Sequence, residues 1–367
     1  MTAKSGILVA ADGRELWARQ PDAQRPMASI TKIMTAVVAL EHSQPSDIVV
    51  VPKASAQVGE STSFLRVGEQ LPMQEMIVSL LVKSGNDAAI AIADHVAGSE
   101  PAFVEMMNRK AQDLGLKNTH FANSHGLDQA GHYTTASDLA VLARYAMTKP
   151  EFRDIVSMKT AVVRDGSRVE TMMNTNLLIG NYTGANGIKT GYTTGAGHSV
   201  IVSAQRDGIE LYAVVLGTDS EMQRFKDARE LLDWGFAHYR HQTLATNGTV
   251  VAEAPVTDYL DVVVPAKFSQ DASASVLDFD GPITRTVTVT EVHAPVTQGQ
   301  RVGVATFTQR GNVIESVPLV AVEKVRKPTI FERAWIGTVR VWRRLFGGQL
   351  QAEPVMSTAI PSTSAVS

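Results

Sequence analysis

Ser29 and Lys32 stand three residues apart in Ser29-Ile30-Thr31-Lys32. In the first turn of a helix, residues at i and i+3 share a face, so these two side chains can touch. A serine hydroxyl is a poor nucleophile until a base takes its proton. A lysine at its ordinary pKa of about 10.4 cannot be that base. Burial and a neighbouring cation lower the value, and the apolar run from Ile33 to Leu40 offers burial. Alone, such a motif is usually a helix-capping serine beside a surface lysine.

Two further triplets follow in order, Ser84-Gly85-Asn86 and Lys189-Thr190-Gly191. Ser84 can relay a proton to a leaving amine, and Asn86 can hold Lys32 and a substrate amide. Lys189 and Thr190 can hold a carboxylate by charge-assisted hydrogen bonds, and Gly191 lets a backbone approach. An oxyanion hole needs two N–H donors aimed at the developing charge; the backbone amides of Ser29 and Tyr192 are the candidates. Each triplet alone reads as an ordinary turn. Together and in order they supply a serine nucleophile, a lysine that can take its proton and a cationic clamp for a carboxylate.

The elements that must position these residues follow from pattern. Residues 6–18 read as two strands around a turn at Asp12-Gly13. A helix is expected from about Met27 to Leu40, apolar almost all round and therefore buried. Residues 73–83 and 86–97 read as helices flanking the second motif, with further helices at 101–114 and 135–147. Short β-branched runs at 199–204 and 211–216 read as strands near the third motif, where a sheet edge could pair with an extended peptide. A helix at about 222–239 follows. Strands, then many helices, then strands imply an α+β domain with helices on the faces of an antiparallel sheet.

The texture changes after residue 243. Thr286 to Thr290 alternates with period two, and Gly311-Asn312 between apolar runs is a hairpin signal. Residues 244–327 thus read as a small β-sandwich domain. Thr329-Ile330-Phe331-Glu332 has the form of a capping box. At 100° per residue, Phe331, Trp335, Thr338, Trp342, Leu345 and Phe346 share one helix face, and Glu332, Arg333, Arg340, Arg343 and Arg344 share the other. Two of the chain's four tryptophans lie here, which suits a helix lying in a membrane interface; docking on its own protein is the plainer alternative. Residues 348–367 are rich in Ser, Thr, Pro and Ala and read as disordered.

The 367 residues exceed one ordinary domain. A net charge of -3 argues against a nucleic-acid binder held by phosphate contacts. There is no cysteine, which excludes disulfides, thiolate metal sites and a cysteine nucleophile. No secretory signal and no membrane-spanning apolar run is visible.

With these residues in hand, the chain resembles the low-molecular-mass penicillin-binding proteins of the penicillin-binding-protein-5 type, which are D-alanyl-D-alanine carboxypeptidases. The likeness extends over Arg25 to Ala36, Ser84 to Ala88, His125-Gly126-Leu127-Asp128, Thr135 to Ala140 and Asn186 to Thr193. Arg224-Phe225 matches a family arginine near the carboxylate pocket, and the resemblance covers residues 6 to 347.

It implies a β-lactamase/transpeptidase-like catalytic domain over 1–243, a C-terminal β domain over 244–327 and an anchor helix over 328–347. It implies Ser29, Lys32 and Ser84 as catalytic residues, and Asn86, Lys189, Thr190, Gly191, Tyr192 and Arg224 as substrate-binding. The implied substrate is a peptidoglycan pentapeptide, which loses its terminal D-alanine through an acyl-enzyme. β-Lactams are implied as covalent ligands, with no metal or cofactor needed. The implied location is the outer face of the cytoplasmic membrane, with the membrane surface as a partner through 328–347.

Alternatives share the motifs. A β-lactamase adds a glutamate that activates the deacylating water; Glu170, four residues before Asn174, is the candidate, in a placement unsuited to that role. A D,D-endopeptidase would use the same site. His120, His125 and His132, with Asp128, could suggest a metal site, although no H-E-x-x-H accompanies them. A non-catalytic peptidoglycan-binding relative is the remaining alternative.

Overall fold

The computed structural model describes residues 1–165 and 168–353. Of the tail read as disordered, 354–367 lie outside the described residues. The chain forms two units, Met1–Ala237 and His238–Ser367.

In the first unit, β1 (Ser5–Ala10) and β2 (Glu15–Arg19) form the expected hairpin, with Leu8 opposite Trp17. Ala28–Thr31 form a 3-10 turn, and only then does α1 (Lys32–His42) begin. The expected start at Met27 fails because Ala28 sits at φ +48, a left-handed conformation that a right-handed helix cannot run through. α1 is buried from Lys32 through Ala39, as an all-round apolar helix must be.

β3 (Ile48–Val50) pairs with β4 (Gln70–Pro72). α2 (Met73–Val78) runs into a π-helical turn, Ser79–Lys83, which ends at Ser84 with φ +69. α3 (Asn86–Ala97) then starts directly on the second motif. α4 (Glu100–Asp113) is capped by Ser99, α5 (Ala136–Met147) by Thr135, and α6 (Pro150–Ser157) opens on proline. β5 (Thr160–Asp165) and β6 (Arg168–Met173) form a separate hairpin. β7 (Ala185–Thr193), β8 (Gly197–Arg206) and β9 (Ile209–Thr218) complete a five-stranded sheet, and α7 (Glu221–His238) follows.

The sheet order is β2-β1-β9-β8-β7, antiparallel throughout. Ile7, Val9, Ile201 and Val214 join one core with the apolar residues of α1, α3 and α5. Leu8 and Leu211 face the other way, where a Cβ on Gly235 of α7 would lie within 2.7 Å of both. Helices thus cover both faces, and the third motif lies on the edge strand β7.

The second unit holds β10 (Tyr239–Ala245), β11 (Val250–Pro255), β12 (Val263–Phe268), β13 (Ala272–Leu277), β14 (Thr284–Val289), β15 (Arg301–Gln309) and β16 (Asn312–Ala321). Five strands run β11-β12-β16-β15-β14, and β10 pairs with β13. Phe268, Val302, Phe307, Val317 and Leu319 fill the core. The turn between β15 and β16 has Arg310 and Gly311 at its centre, both at positive φ, one residue earlier than Gly311-Asn312 suggested.

α8 (Ile330–Phe346) carries the full capping box of Thr329 and Glu332. It meets its own unit through buried Ile336, through Arg340 donating to Thr257 O and Tyr259 O, and through Arg343 on Asp261. Its aromatic face points outward, with Phe331, Trp335, Trp342, Leu345 and Phe346 between 61% and 87% exposed. No described helix is long and apolar enough to cross a membrane.

Candidate active site

The 3-10 turn and the first turn of α1 bring Ser29 Oγ within 2.8 Å of Lys32 Nζ. Lys32 is fully buried, and Nζ has two further contacts, Asn86 Oδ1 and His125 O, each at 2.7 Å. The Asn86 amide is oriented by its nitrogen, which donates to Gly59 O at 3.1 Å. Two of the three atoms around Nζ are therefore pure acceptors, and the third is a hydroxyl. A neutral amine fits this set: two N–H groups donate to Asn86 and His125, and the lone pair accepts from Ser29. The electrostatics agree. Burial, then the nearby Lys189, push the Lys32 pKa well below its ordinary value, and Asp87 and Glu60 oppose this only in part.

Ser84 is buried in the left-handed joint between the π-turn and α3. It is not among the three partners of Lys32. Asp87, one residue after the second motif, supports that motif from beneath. Its carboxylate accepts from Ser63 N, Leu65 N, Ala88 N and Thr62 Oγ1 at 2.6–3.1 Å. This pins the strap at 59–65, which in turn holds Asn86 through Gly59 O and Ser61 O.

The third motif lies on β7 beside the 3-10 turn. A Cβ on Gly191 would sit 3.1 Å from both Ala28 Cβ and Met27 O, so only glycine brings this edge so near Ser29. Lys189 is fully buried, with Nζ on the backbone oxygen of Thr190 at 3.1 Å. Burial, then Arg224, push its pKa down to about 7. Thr190 Oγ1 donates to Thr175 Oγ1 at 2.7 Å. Arg224, from α7, reaches Gly191 O at 3.3 Å and Glu221 at 2.7 Å, and its buried Nε has no partner among the described residues. Two buried cations with spare donor capacity thus stand beside the sheet edge. Tyr192 is exposed and stacks on its cross-strand neighbour His198, with ring centroids 4.2 Å apart.

A third segment, 120–134, closes over the 3-10 turn. Asp128 accepts from Thr193 Oγ1 at 2.7 Å and Gly195 N at 3.0 Å, which clasps the β7–β8 turn. Gly126, at φ +98, lies against Ala28, where a Cβ would come within 2.0 Å of the Ala28 oxygen. Asp87 supports the site without having been singled out in the sequence, and Asp128 and the 120–134 histidines entered that reading only as metal candidates. The signals were the runs Ser84 to Ala88 and His125-Gly126-Leu127-Asp128, which read as familiar without giving either aspartate the supporting role it has here.

The histidines are engaged elsewhere than on a metal. His120 Nδ1 meets Gly131 O at 2.6 Å, His125 Nδ1 accepts from Leu127 N, and both His132 nitrogens have partners. Among the described residues no cluster of His, Asp and Glu could hold a metal ion. Glu170 lies on β6 opposite Val163, and Asn174 spends its amide on Val156 O and Met158 O.

Comparison with known proteins agrees with the geometry. The D-alanyl-D-alanine carboxypeptidase family profile (Peptidase_S11) matches residues 1–220, and that of the penicillin-binding protein 5 C-terminal domain matches 239–327. D-alanyl-D-alanine carboxypeptidase DacF of Bacillus subtilis is 31% identical over 337 residues, covering 89% of this chain and 86% of its own. DacD of Escherichia coli is 35% identical over 338 residues, covering 88% and 86%. Among solved structures, penicillin binding protein 6B from Escherichia coli superposes with a TM-score of 0.68 at 34% identity, covering 88% of this chain and 96% of its own. Penicillin binding protein 5 from Haemophilus influenzae gives 0.67 at 28%, covering 89% and 98%. A serine and a buried lysine in contact, beside a cationic sheet edge, therefore stand in a chain that belongs to the D-alanyl-D-alanine carboxypeptidase family of serine peptidases.

Proposed function

We propose that the enzyme removes the terminal D-alanine from peptidoglycan pentapeptides through an acyl-enzyme on Ser29. The observation that carries this reading is the contact set of Lys32, which suits a neutral amine that accepts the Ser29 proton. The substrate lies along β7, its terminal carboxylate held by Lys189, Thr190 and Arg224. Lys32 takes the hydroxyl proton as Ser29 Oγ bonds to the carbonyl carbon of the penultimate D-alanine. The amides of Ser29 and Tyr192 hold the oxyanion. The C–N bond then breaks, Ser84 relays the proton to the departing amine, and D-alanine leaves. Water hydrolyses the ester, returning a proton to Ser29. Asn86 holds both Lys32 and the substrate amide throughout. A β-lactam would acylate the same serine, its ring amide opening in place of the peptide bond.

The reading assigns 1–243 to catalysis, 244–327 to a spacer β domain and 328–347 to a membrane-interface anchor, outside the cytoplasm. Support for the anchor comes from α8, which docks by Ile336, Arg340 and Arg343 and leaves its aromatic face outward. A helix that docked for packing alone would bury the opposite face.

The test is release of free D-alanine from a peptide ending in D-Ala-D-Ala, with penicillin-treated and Ser29→Ala controls. Release that both controls abolish is expected. No release with rapid penicillin hydrolysis would move the assignment to a β-lactamase. No release and no acylation would leave a non-catalytic binding protein.

A further inference from the structure

We infer that His132 is a positioning residue for the oxyanion hole: through the Thr31 hydroxyl it fixes the Ala28–Ser29 peptide plane and so aims the Ser29 N–H. The inference rests on the acyl-transfer reading above and goes beyond it, because His132 touches neither the nucleophile nor its base.

The chain of contacts has one consistent direction. Ala122 N donates to His132 Nδ1 at 2.9 Å, so Nδ1 carries no proton. In a neutral ring the proton is then on Nε2. Nε2 lies 2.7 Å from Thr31 Oγ1. Thr31 has a single hydroxyl proton, and it goes to Ala28 O at 2.8 Å, since a carbonyl can only accept. His132 therefore donates to Thr31, and Thr31 donates to Ala28. Burial, with His125 and His120 nearby and Asp128 opposing, pushes the His132 pKa down to about 4, so the neutral ring stands there at neutral pH.

The end of this relay is the peptide before the nucleophile. The C=O of Ala28 and the N–H of Ser29 belong to one planar unit. Fixing the oxygen fixes the direction of the N–H on the opposite side. The unit needs fixing, because Ala28 sits at φ +48, where a residue with a Cβ is strained. Gly126 bounds the same oxygen from the side, where even a methyl group would collide. His132, Thr31 and Ala28 are all buried, so water does not compete for these bonds. His132 is itself held, through the bridges His120–Tyr133 and Arg25–Thr134 on either side of its strand-like segment.

The decisive readout is the sensitivity of turnover to the atom that becomes the oxyanion. An acyl-D-alanyl ester and its thiono counterpart, in which sulfur replaces the reacting carbonyl oxygen, are compared on the purified full chain. A well-aimed N–H discriminates against sulfur; a misaimed one does not. His132→Ala and Thr31→Val should lower kcat on the oxygen ester on the order of 10–100-fold, with little change in KM. Their oxygen-to-sulfur rate ratio should collapse at least about tenfold.

His132→Gln offers both an acceptor and a donor, and Thr31→Ser keeps the hydroxyl; both should stay within about threefold of the unaltered enzyme. A rate loss in His132→Ala with an unchanged oxygen-to-sulfur ratio would overturn the inference and leave a purely structural histidine. So would full activity in both deletion variants. Should His132→Ala fail to fold, Thr31→Val against Thr31→Ser decides the matter by the same ratio. Absence of turnover and of penicillin acylation in the unaltered enzyme would instead overturn the carboxypeptidase reading, and this inference with it.

Discussion

Asn86 turns its side-chain oxygen toward Lys32 Nζ at 2.7 Å because its nitrogen is committed to Gly59 O. The buried amine thereby meets a neutral acceptor, where an isosteric carboxylate would meet it with a full charge. Asn86→Asp should raise the Lys32 pKa and hold the amine as a cation. The acid limb of kcat/KM should move upward, and the rate at pH 7 should fall on the order of 10²-fold. The pH profile of penicillin acylation is the measurement. An unshifted acid limb would remove Lys32 as the base.

Lys189 supplies the other limb. Its pKa is pushed down to about 7 by burial and Arg224, so the cation that binds a carboxylate is present below about pH 7 and is lost as the pH rises through it. In the free enzyme kcat/KM should therefore decline above about pH 7. A bound carboxylate favours the cation, so the limb in kcat should lie higher. Parallel profiles of the two parameters test this, and coincident alkaline limbs would argue against Lys189 as the carboxylate clamp.

Gly191 sets the distance between the sheet edge and the 3-10 turn. Gly191→Ala places a methyl group 3.1 Å from Ala28 Cβ and Met27 O, and these neighbours are backbone or short side chains with little freedom to yield. The variant should lose about 1–2 kcal/mol of stability. Acylation should fall more steeply than stability, since the edge and the nucleophile move apart. Denaturant melts beside acylation rates separate the two effects.

Glu41 accepts from Lys110 and Lys149 at 2.6 Å each and from Tyr145 at 2.5 Å. Burial alone would raise its pKa, but these three bonds outweigh that and hold it at about 2. A depressed carboxylate stabilises the fold above its unfolded pKa, and the contribution is lost as the pH falls toward the folded value. Glu41→Gln should therefore cost about 1–2 kcal/mol at pH 7, after allowance for solvent screening. The gap should narrow below pH 4.5 and close near pH 2. A gap independent of pH would place the loss in packing rather than charge.

Trp335→Glu with Trp342→Glu puts two charges on the outward face of α8. Partition onto phospholipid vesicles should drop at least about tenfold, while turnover of a soluble peptide is unchanged. Undiminished binding would sink the anchor reading.

What the sequence made legible was the three motifs and the order of the elements that carry them. Ser29 and Lys32 are near in sequence, so their contact is a property of one helical turn. The β1–β2 hairpin, buried α1 and the packing of helices on the faces of the sheet follow equally from local pattern. What was not legible depended on distant segments. The 3-10 turn at Ala28–Thr31 exists because Ala28 is held left-handed against Gly126, almost a hundred residues away in sequence. Asp87 read as part of a helix start, and only the fold shows the strap at 59–65 folded back onto its carboxylate. The loop histidines could be read as ligands or as structural groups from their spacing. Their hydrogen-bond partners decide between these, and no periodicity reports a partner.

The capping box of α8 bears on how the chain could meet a bilayer. Thr329 and Glu332 close the first turn, and Arg326 clamps Glu332 with both guanidinium nitrogens. The seventeen-residue helix is thus capped at its start and docked on its own unit with no lipid present. Many interfacial peptides are random in water and fold as they adsorb, losing on the order of 1 kcal/mol per residue in backbone freedom at that moment. Here that loss belongs to the folding of the protein. On the anchor reading proposed above, adsorption is a rigid-body event, and circular dichroism should register no gain of helix when vesicles are added.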